Sequence, residues 1–218
     1  MELVIKNQVM FKGKFITIEG CEGTGKSTQI KLLEKYLKKK IKIKSTREPG
    51  GSLGGEQIRK LIFKKEEDWS PLTEALLHIS ARNDHLEKII KPNLKKGIWI
   101  ICDRFRDSTT AYQGYGNDLK LNVLELMQDS IFNKFHPDLT IILDMDVKKC
   151  LSRVKKRKSG IQKYEKMNIN FHKKIRNGFL TIAKKNKKRY YIINADQNQL
   201  ELNNKILKVI NKKFKKNF

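Results

Sequence analysis

The stretch Gly20-Cys21-Glu22-Gly23-Thr24-Gly25-Lys26-Ser27 follows the apolar run Phe15–Ile18 and precedes a pattern in which Ile30, Leu33 and Leu37 share one helical face. It fits GxxxxGK(S/T), and the strand before it and helix after it are the context that motif requires. Glycines let successive backbone N–H groups turn inward around a phosphate. The helix N-terminus adds partial positive charge. Lys26 is placed to reach the outer phosphates of a nucleotide, and the Ser27 hydroxyl to ligate a magnesium ion. A guanine-specific version would carry an Asn-Lys-x-Asp motif. Asn133-Lys134-Phe135-His136 ends in histidine, which cannot accept from the guanine base as a carboxylate does.

Four more apolar runs read as strands: Ile41–Ser45, Ile98–Cys102, Leu139–Leu143 and Tyr190–Ile193. They lack strict alternation, as strands buried on both faces should. Helical patterns separate them. Glu56–Ile62 is one. Ser70-Pro71 offers an N-cap and first-turn proline for Leu72–Lys91, with Pro92 and Gly97 marking its end. Leu121–Phe132, Lys166–Lys184 and Leu200–Phe214 follow. The expected class is α/β, a five-stranded parallel sheet with helices on both faces, in one domain spanning 1–218. Residues 1–13 read as an N-terminal extension, and the basic, poorly patterned segment 155–166 as a lid.

Several function classes are disfavoured. No apolar run approaches a membrane span, and the first residues do not resemble a secretory signal. Cys21, Cys102 and Cys150 form no CxxC pair, which suits reduced thiols and a cytoplasmic location. The histidines His78, His85, His136 and His172 make no zinc motif. The net charge of +25 would draw nucleic acid and phosphorylated small molecules alike. It is read first as compositional drift, in a chain rich in Lys, Ile and Asn. The lysines are not interleaved with aromatic side chains as a single-strand stacking platform needs, so a nucleic-acid partner is not expected.

The remaining motifs follow strands, where ligands of open α/β sheets bind. After the second run come Thr46-Arg47-Glu48-Pro49-Gly50-Gly51; after the third, Asp103-Arg104-Phe105 and then Ser108-Thr109-Thr110-Ala111-Tyr112-Gln113-Gly114. Arg59, Arg82 and Arg104 lie on separate elements. Guanidinium forks converging on one cleft suit a dianionic phosphate. His78 and Arg82 are four apart and share a helix face. If the stretch after Ser108 is helical, Thr109, Tyr112 and Gln113 share another, so these five could line one base pocket.

These motifs, together with His136-Pro137-Asp138-Leu139-Thr140 and Asn194-Ala195-Asp196, resemble bacterial thymidylate kinase over about Phe15 to Leu207. The resemblance implies a three-layer P-loop kinase fold and phosphoryl transfer from ATP to dTMP, with Mg2+, in a homodimer. It implies that Gly20, Cys21, Glu22, Gly23, Thr24, Gly25, Lys26, Ser27 and Thr28 surround the donor phosphates. Ser27 and Asp103 would serve the metal, and Arg104 and Arg59 the acceptor phosphate. Arg82, Thr109 and Gln113 would surround the thymine. Tyr112 would crowd the sugar's 2′ position, and Glu48 and Pro49 would shape the site near the sugar. Asp103 could instead orient Arg104.

The chain departs from the family pattern at two places. His78 stands where the family usually has a phenylalanine that stacks on thymine. Gln162-Lys163-Tyr164-Glu165 stands where the lid often has Asp-Arg-x-Glu, leaving Arg153 and Arg157 as the lid arginines. Phosphoryl transfer to another pyrimidine monophosphate is the nearest alternative, and a basic nucleic-acid-binding ATPase a more distant one.

Overall fold

A computed structural model of the chain describes residues 11–64, 68–156 and 163–218. Five strands form one parallel sheet in the order β2-β3-β1-β4-β5. They are β1 Phe15–Glu19, β2 Ile43–Arg47, β3 Trp99–Asp103, β4 Leu139–Asp144 and β5 Tyr190–Asn194. All five β1 residues are buried, which explains the near-continuous apolar run. The one hydroxyl inside it, Thr17, pairs with Thr140 on β4 at 2.9 Å, so neither is left unsatisfied.

Alternation assigns the two faces. Ile16 and Ile18 of β1 and Ile101 of β3 join a core with helix α1 (Lys26–Leu37) and the late helices α8 (Ile169–Lys184) and α9 (Gln199–Phe214). Phe15, Ile100 and Cys102 point the other way, toward Ile79 of α3 (Pro71–His85), Leu86 and Ile90. The three-layer expectation holds. The chain reverses direction through the helices, so every strand ends on the same edge of the sheet. Glu19, Arg47, Asp103, Asp144 and Asn194 stand along that edge.

Boundaries differ from expectation where backbone groups had other partners. β2 starts at Ile43 rather than Ile41, because the amides of Lys38, Lys40 and Ile41 close the end of α1 onto Glu34 and Leu37 carbonyls. The helix from Ser70 does not stop before Pro92. A π turn, Leu86–Ile90, widens the backbone, and the helix resumes as α4 (Lys91–Lys95) with Pro92 in its first turn, where no amide is needed. Asn168 caps α8, accepting from the Phe171 amide at 2.9 Å, so that helix begins at Ile169 rather than Lys166. Helix α2 (Leu53–Ile62) starts earlier than its pattern, capped by Ser52, which accepts from the Gly55 amide. Helix α6 spans Leu121–Ile131. Two helices went unread: α5 (Arg106–Thr109), and α7 (Val147–Lys155), whose buried Val147, Cys150 and Val154 are interrupted by Lys148, Lys149 and Arg153.

Candidate active site

The loop after β1 is shaped by glycines that cannot be replaced without movement. Gly20 and Gly23 have φ of 135° and 78°. A Cβ on Gly20 would meet the Leu143 carbonyl oxygen at 2.4 Å, and one on Gly23 the Cys150 carbonyl oxygen at 2.3 Å. Gly25 precedes α1 without a capping side chain, so the first amides of that helix face the loop unblocked. Buried Lys26 folds over this loop, its Nζ donating to the Gly20 and Cys21 carbonyls at 2.9 and 2.8 Å. Burial, with Arg104 nearby, lowers its pKa from the ordinary lysine value. Thr24 donates to the Cys21 carbonyl.

At the next strand end, the Ser27 hydroxyl donates to Asp103 Oδ2 at 2.7 Å. Asp103 Oδ1 is buried with no hydrogen-bond partner. A hydroxyl and a carboxylate with a spare lone pair are hard oxygen donors of the kind Mg2+ takes.

Arg104 sits in the left-handed region at φ 71°, unusual for a residue with a side chain. Several bonds hold it there. Its amide donates to the Ile18 carbonyl at 3.0 Å. Its guanidinium donates to the Gly20 carbonyl, Ser108 Oγ and Glu22 Oε1 at 3.0–3.1 Å and lies over the Tyr112 ring. Behind it, fully buried Glu19 accepts from the Phe105 amide at 2.7 Å and the Ser108 hydroxyl at 2.6 Å. Burial, with Asp107 nearby, pushes the Glu19 carboxyl up to about 8. Burial would raise Glu22 too, but Arg104 and Lys26 hold it below the ordinary value. Tyr112 also donates to Glu22 Oε1 at 2.5 Å. The donor loop and Arg104 are thus one hydrogen-bonded unit, although 84 residues separate Gly20 from Arg104.

Beyond Arg104 the helix α5 runs into a π turn, Thr110–Gly116. Thr109, Tyr112 and Gln113 all line the cleft, as their spacing predicted. Opposite them, α3 brings His78 and Arg82. Arg82 is 2% exposed and heavily committed. It donates to Glu48 Oε2 at 2.5 Å, Thr109 Oγ1 at 2.8 Å and the Phe105 carbonyl at 2.9 Å. Glu48 keeps its other oxygen for His85. Glu48, His85 and Cys102 converge within 4.8 Å, but both carboxylate oxygens already have partners.

Removing one member of this buried pair leaves the other uncompensated. Arg82→Ala should therefore cost about 3–5 kcal/mol. Thermal denaturation should show a fall of roughly 10 °C, given about 2–4 °C per kcal/mol at this chain length. A fall of only a degree or two would show that water reaches Glu48 and that the pair is not structural.

His78 is buried, and its Nε2 lies 3.1 Å from the Tyr164 hydroxyl. That hydroxyl donates to Glu74 Oε1 at 2.7 Å, so it can only accept from Gln113 Nε2 at 3.0 Å and from His78. His78 is therefore the Nε2–H tautomer. Burial, with Arg82 and Arg104 nearby, pushes it down to about 3, so the ring is neutral at physiological pH. A pKa depressed from about 6.5 means stability present at neutral pH is lost as pH falls toward 3. His78→Phe should shallow the decline in melting temperature between pH 6.5 and 3. An unchanged decline would assign that loss to other groups.

Every sequence-predicted site residue within the described range, apart from Gly20 and Cys21 beneath the loop, lines one cleft of about 820 Å³. Glu22–Thr28 form one end and Arg59, Arg104 and Arg153 border it; Arg59 donates to the Pro49 carbonyl at 2.9 Å. Arg153 approaches the Ala195 carbonyl and Asp196. Arg157 and Gln162 lie outside the described residues. Sequence reasoning gave no role to Glu19, Glu74, Ser108 or Tyr164. Two of them left a signal: Ser108 opens the motif that follows β3, and Tyr164 stands in the Gln162–Glu165 run. Lys163 beside it bonds Glu74 Oε2 at 2.5 Å.

A phosphate cradle at the end of β1, with Arg104 after β3 and Arg59 on α2 lining the same cleft, defines a P-loop phosphotransferase of the nucleotide-kinase class. A family model described as thymidylate kinase matches residues 18–206, so the chain belongs to the thymidylate kinase family. The thymidylate kinase of Caulobacter vibrioides is 43% identical over 189 residues, covering 86% of this chain and 90% of that one. That of Wolbachia pipientis subsp. Culex pipiens is 43% identical over 206 residues, covering 92% of this chain and 97% of that one. The crystal structure of thymidylate kinase from Ehrlichia chaffeensis superposes with a TM-score of 0.75 at 36% identity, covering 91% of this chain and 98% of the other.

Proposed function

We infer that the chain transfers the terminal phosphoryl group of ATP to dTMP, yielding dTDP and ADP. The observation that carries this is one cleft lined by the backbone cradle and, beside it, by Arg59 and Arg104. An acceptor phosphate has its second pKa near 6, so it is mostly dianionic at neutral pH and needs no general base. The residues then have two tasks, alignment and charge neutralisation. Lys26 and the amides at the start of α1 hold the donor; Arg153 of α7 and Arg157 of the lid are proposed to add charge there. Arg104 and Arg59 hold the acceptor in line. Thr109, Gln113, Arg82 and His78 surround the base. Tyr112, with Glu48 and Pro49, shapes the sugar site.

Ser27 and Asp103 would hold Mg2+, which when bound bridges and neutralises phosphate oxygens. Segment 155–166, whose residues 157–162 lie outside the described residues, is proposed as the lid that excludes water. The homodimer implied by the resemblance would have exposed leucines to cover: Leu53 and Leu61 on α2, Leu72 and Leu76 on α3, and Leu126 on α6. The cysteines are buried and unpaired, as suits a cytoplasmic location. Among the described residues, no helix is long and apolar enough to cross a membrane.

An ADP-release assay across dTMP, dUMP, UMP, CMP and GMP tests the reading. Turnover should be fastest with dTMP. Faster turnover of another acceptor would reassign the base pocket. Because His78 is neutral throughout, wild type and His78→Phe should give the same pH profile for dTMP between pH 5.5 and 8. A profile that changes shape would show the ring titrating in the complex.

A further inference from the structure

The excess of positive charge is not spread evenly over this fold. In a parallel sheet crossed by helices, all the segments that enter strands lie at one end and all those that leave them at the other. The entering segments are strongly basic. Lys12 and Lys14 precede β1; Lys38, Lys39, Lys40 and Lys42 precede β2; Lys95 and Lys96 precede β3; Lys134 precedes β4. Four lysines and Arg189 fall in 184–189, before β5, and four more lysines in 212–216, at the end of α9. Asp138 is the one carboxylate in these segments. The segments between strand ends and the next helices are different, carrying Glu22, Glu48, Asp146 and Asp196 against Arg104 alone.

Hydrogen bonds join the basic segments into one rim. The Trp99 amide donates to the Lys42 carbonyl, Ile100 to Lys14, Thr140 to Arg189, and Lys213 Nζ to the Lys188 carbonyl. A lysine or two at each helix end is ordinary, because it complements the helix dipole. This rim exceeds that. Lys39, Lys40, Lys95, Lys96, Lys187 and Lys188 are exposed and make no ion pair among the described residues. Four inter-strand spacings of about 4.8 Å make it about 20 Å wide, a length over which a duplex presents about a dozen phosphates.

We propose that this rim, at the opposite end of the sheet from the catalytic cleft, is a docking surface for the phosphate backbone of duplex nucleic acid. The aromatic side chains here favour a duplex over a single strand. Trp99 packs against Phe214 and Phe218 at ring distances of 4.8 and 5.7 Å instead of offering faces for bases to stack on. A membrane fits less well, because no large apolar side chain within these segments is exposed to insert. Binding of this kind is independent of sequence and steeply salt-dependent. It also revises the expectation drawn from the missing aromatic residues, since backbone contacts need none.

The test is fluorescence anisotropy with a labelled DNA duplex of about 30 base pairs, repeated between about 50 and 200 mM salt. If about six phosphates are contacted, log affinity should fall against log salt with a slope near −5, a loss of about a thousandfold over that range. Lys39→Gln, Lys40→Gln, Lys187→Gln and Lys188→Gln combined should flatten the slope by about 3 to 4. None of the four lines the cleft, so kinase activity should be unchanged. Saturating ATP or dTMP should not displace the duplex. No binding at the lowest salt would overturn the proposal. So would binding that the quadruple variant retains in full, or that nucleotides abolish, since either places it elsewhere. Tighter binding to a single strand of equal length, or to phosphatidylserine–phosphatidylcholine vesicles, would overturn it in favour of that partner. Kinase activity is measured separately, so its absence would count against the catalytic reading without touching this one.

Discussion

Lys26→Ala is expected to lower turnover by at least about a thousandfold, the scale seen when a charge-stabilising donor is removed from a closed site. The Lys26 ammonium is buried at the mouth of the phosphate loop, where no other described lysine lines the cleft. Its charge counts for more there than in water, because the surroundings screen it less. Burial and Arg104 both lower its pKa, so its positive form is already disfavoured and an anion brought beside it is correspondingly favoured. The loss should fall mainly on kcat, because in the proposed reaction Lys26 meets phosphate oxygens on which charge builds during transfer. The substitution also frees the Gly20 and Cys21 carbonyls that the ammonium now satisfies. Melting temperature should therefore be recorded beside the rate. A folded Lys26→Ala protein with turnover within about tenfold of wild type would remove Lys26 from the mechanism.

Arg104→Ala carries the second large effect, and it should divide differently. We expect kcat/KM for dTMP to fall by about two to three orders of magnitude, with a raised KM for dTMP and little change for ATP. Arg104 is proposed to hold the acceptor phosphate, and its guanidinium fork can hold two phosphate oxygens at once. Arg104→Lys should recover little, since a lysine keeps the charge but loses the fork. Glu19→Gln provides a control on positioning. It keeps an acceptor for the Phe105 amide, so Arg104 should stay aimed and dTMP binding should be largely retained. Glu19→Ala removes the Phe105 and Ser108 anchors and should raise KM for dTMP. Equal changes in the ATP and dTMP constants of Arg104→Ala would show that the residue supports the donor loop instead, through its contacts with Gly20 and Glu22.

How much of this was legible depended on how local its cause was. The phosphate loop was legible because each of its requirements is met within a dozen residues: glycines where φ is positive, a lysine behind them, a helix starting at once. Strand cores were legible because burial on both faces leaves an unbroken apolar run. Helix α7 was not, because its buried positions are diluted by Lys148, Lys149 and Arg153. The passage of a helix through Pro92 was not, because the widened turn that allows it leaves no compositional mark.

The site divides the same way. Lys26, Ser27, Asp103, Arg104 and Gln113 could be named from motifs, since their chemistry follows from residue type and from standing just after a strand. Nothing local could show that Glu19 anchors the turn bearing Arg104, or that the Tyr164 hydroxyl is shared by His78, Gln113 and Glu74. Both depend on groups far apart in the chain meeting where water is excluded. The protonation of His78 and Glu19 depends on it too, because a pKa answers to burial and neighbouring charge rather than to residue type.

The linear order of residues was enough to establish the parallel α/β class, the phosphate cradle and the kind of reaction, since backbone preference and side-chain chemistry are properties each short segment carries with it. That Arg82 is largely consumed by the scaffold was decided by packing. So was the gathering of lysines at the end remote from the cleft, because three-dimensional proximity brings together charges that the chain keeps far apart.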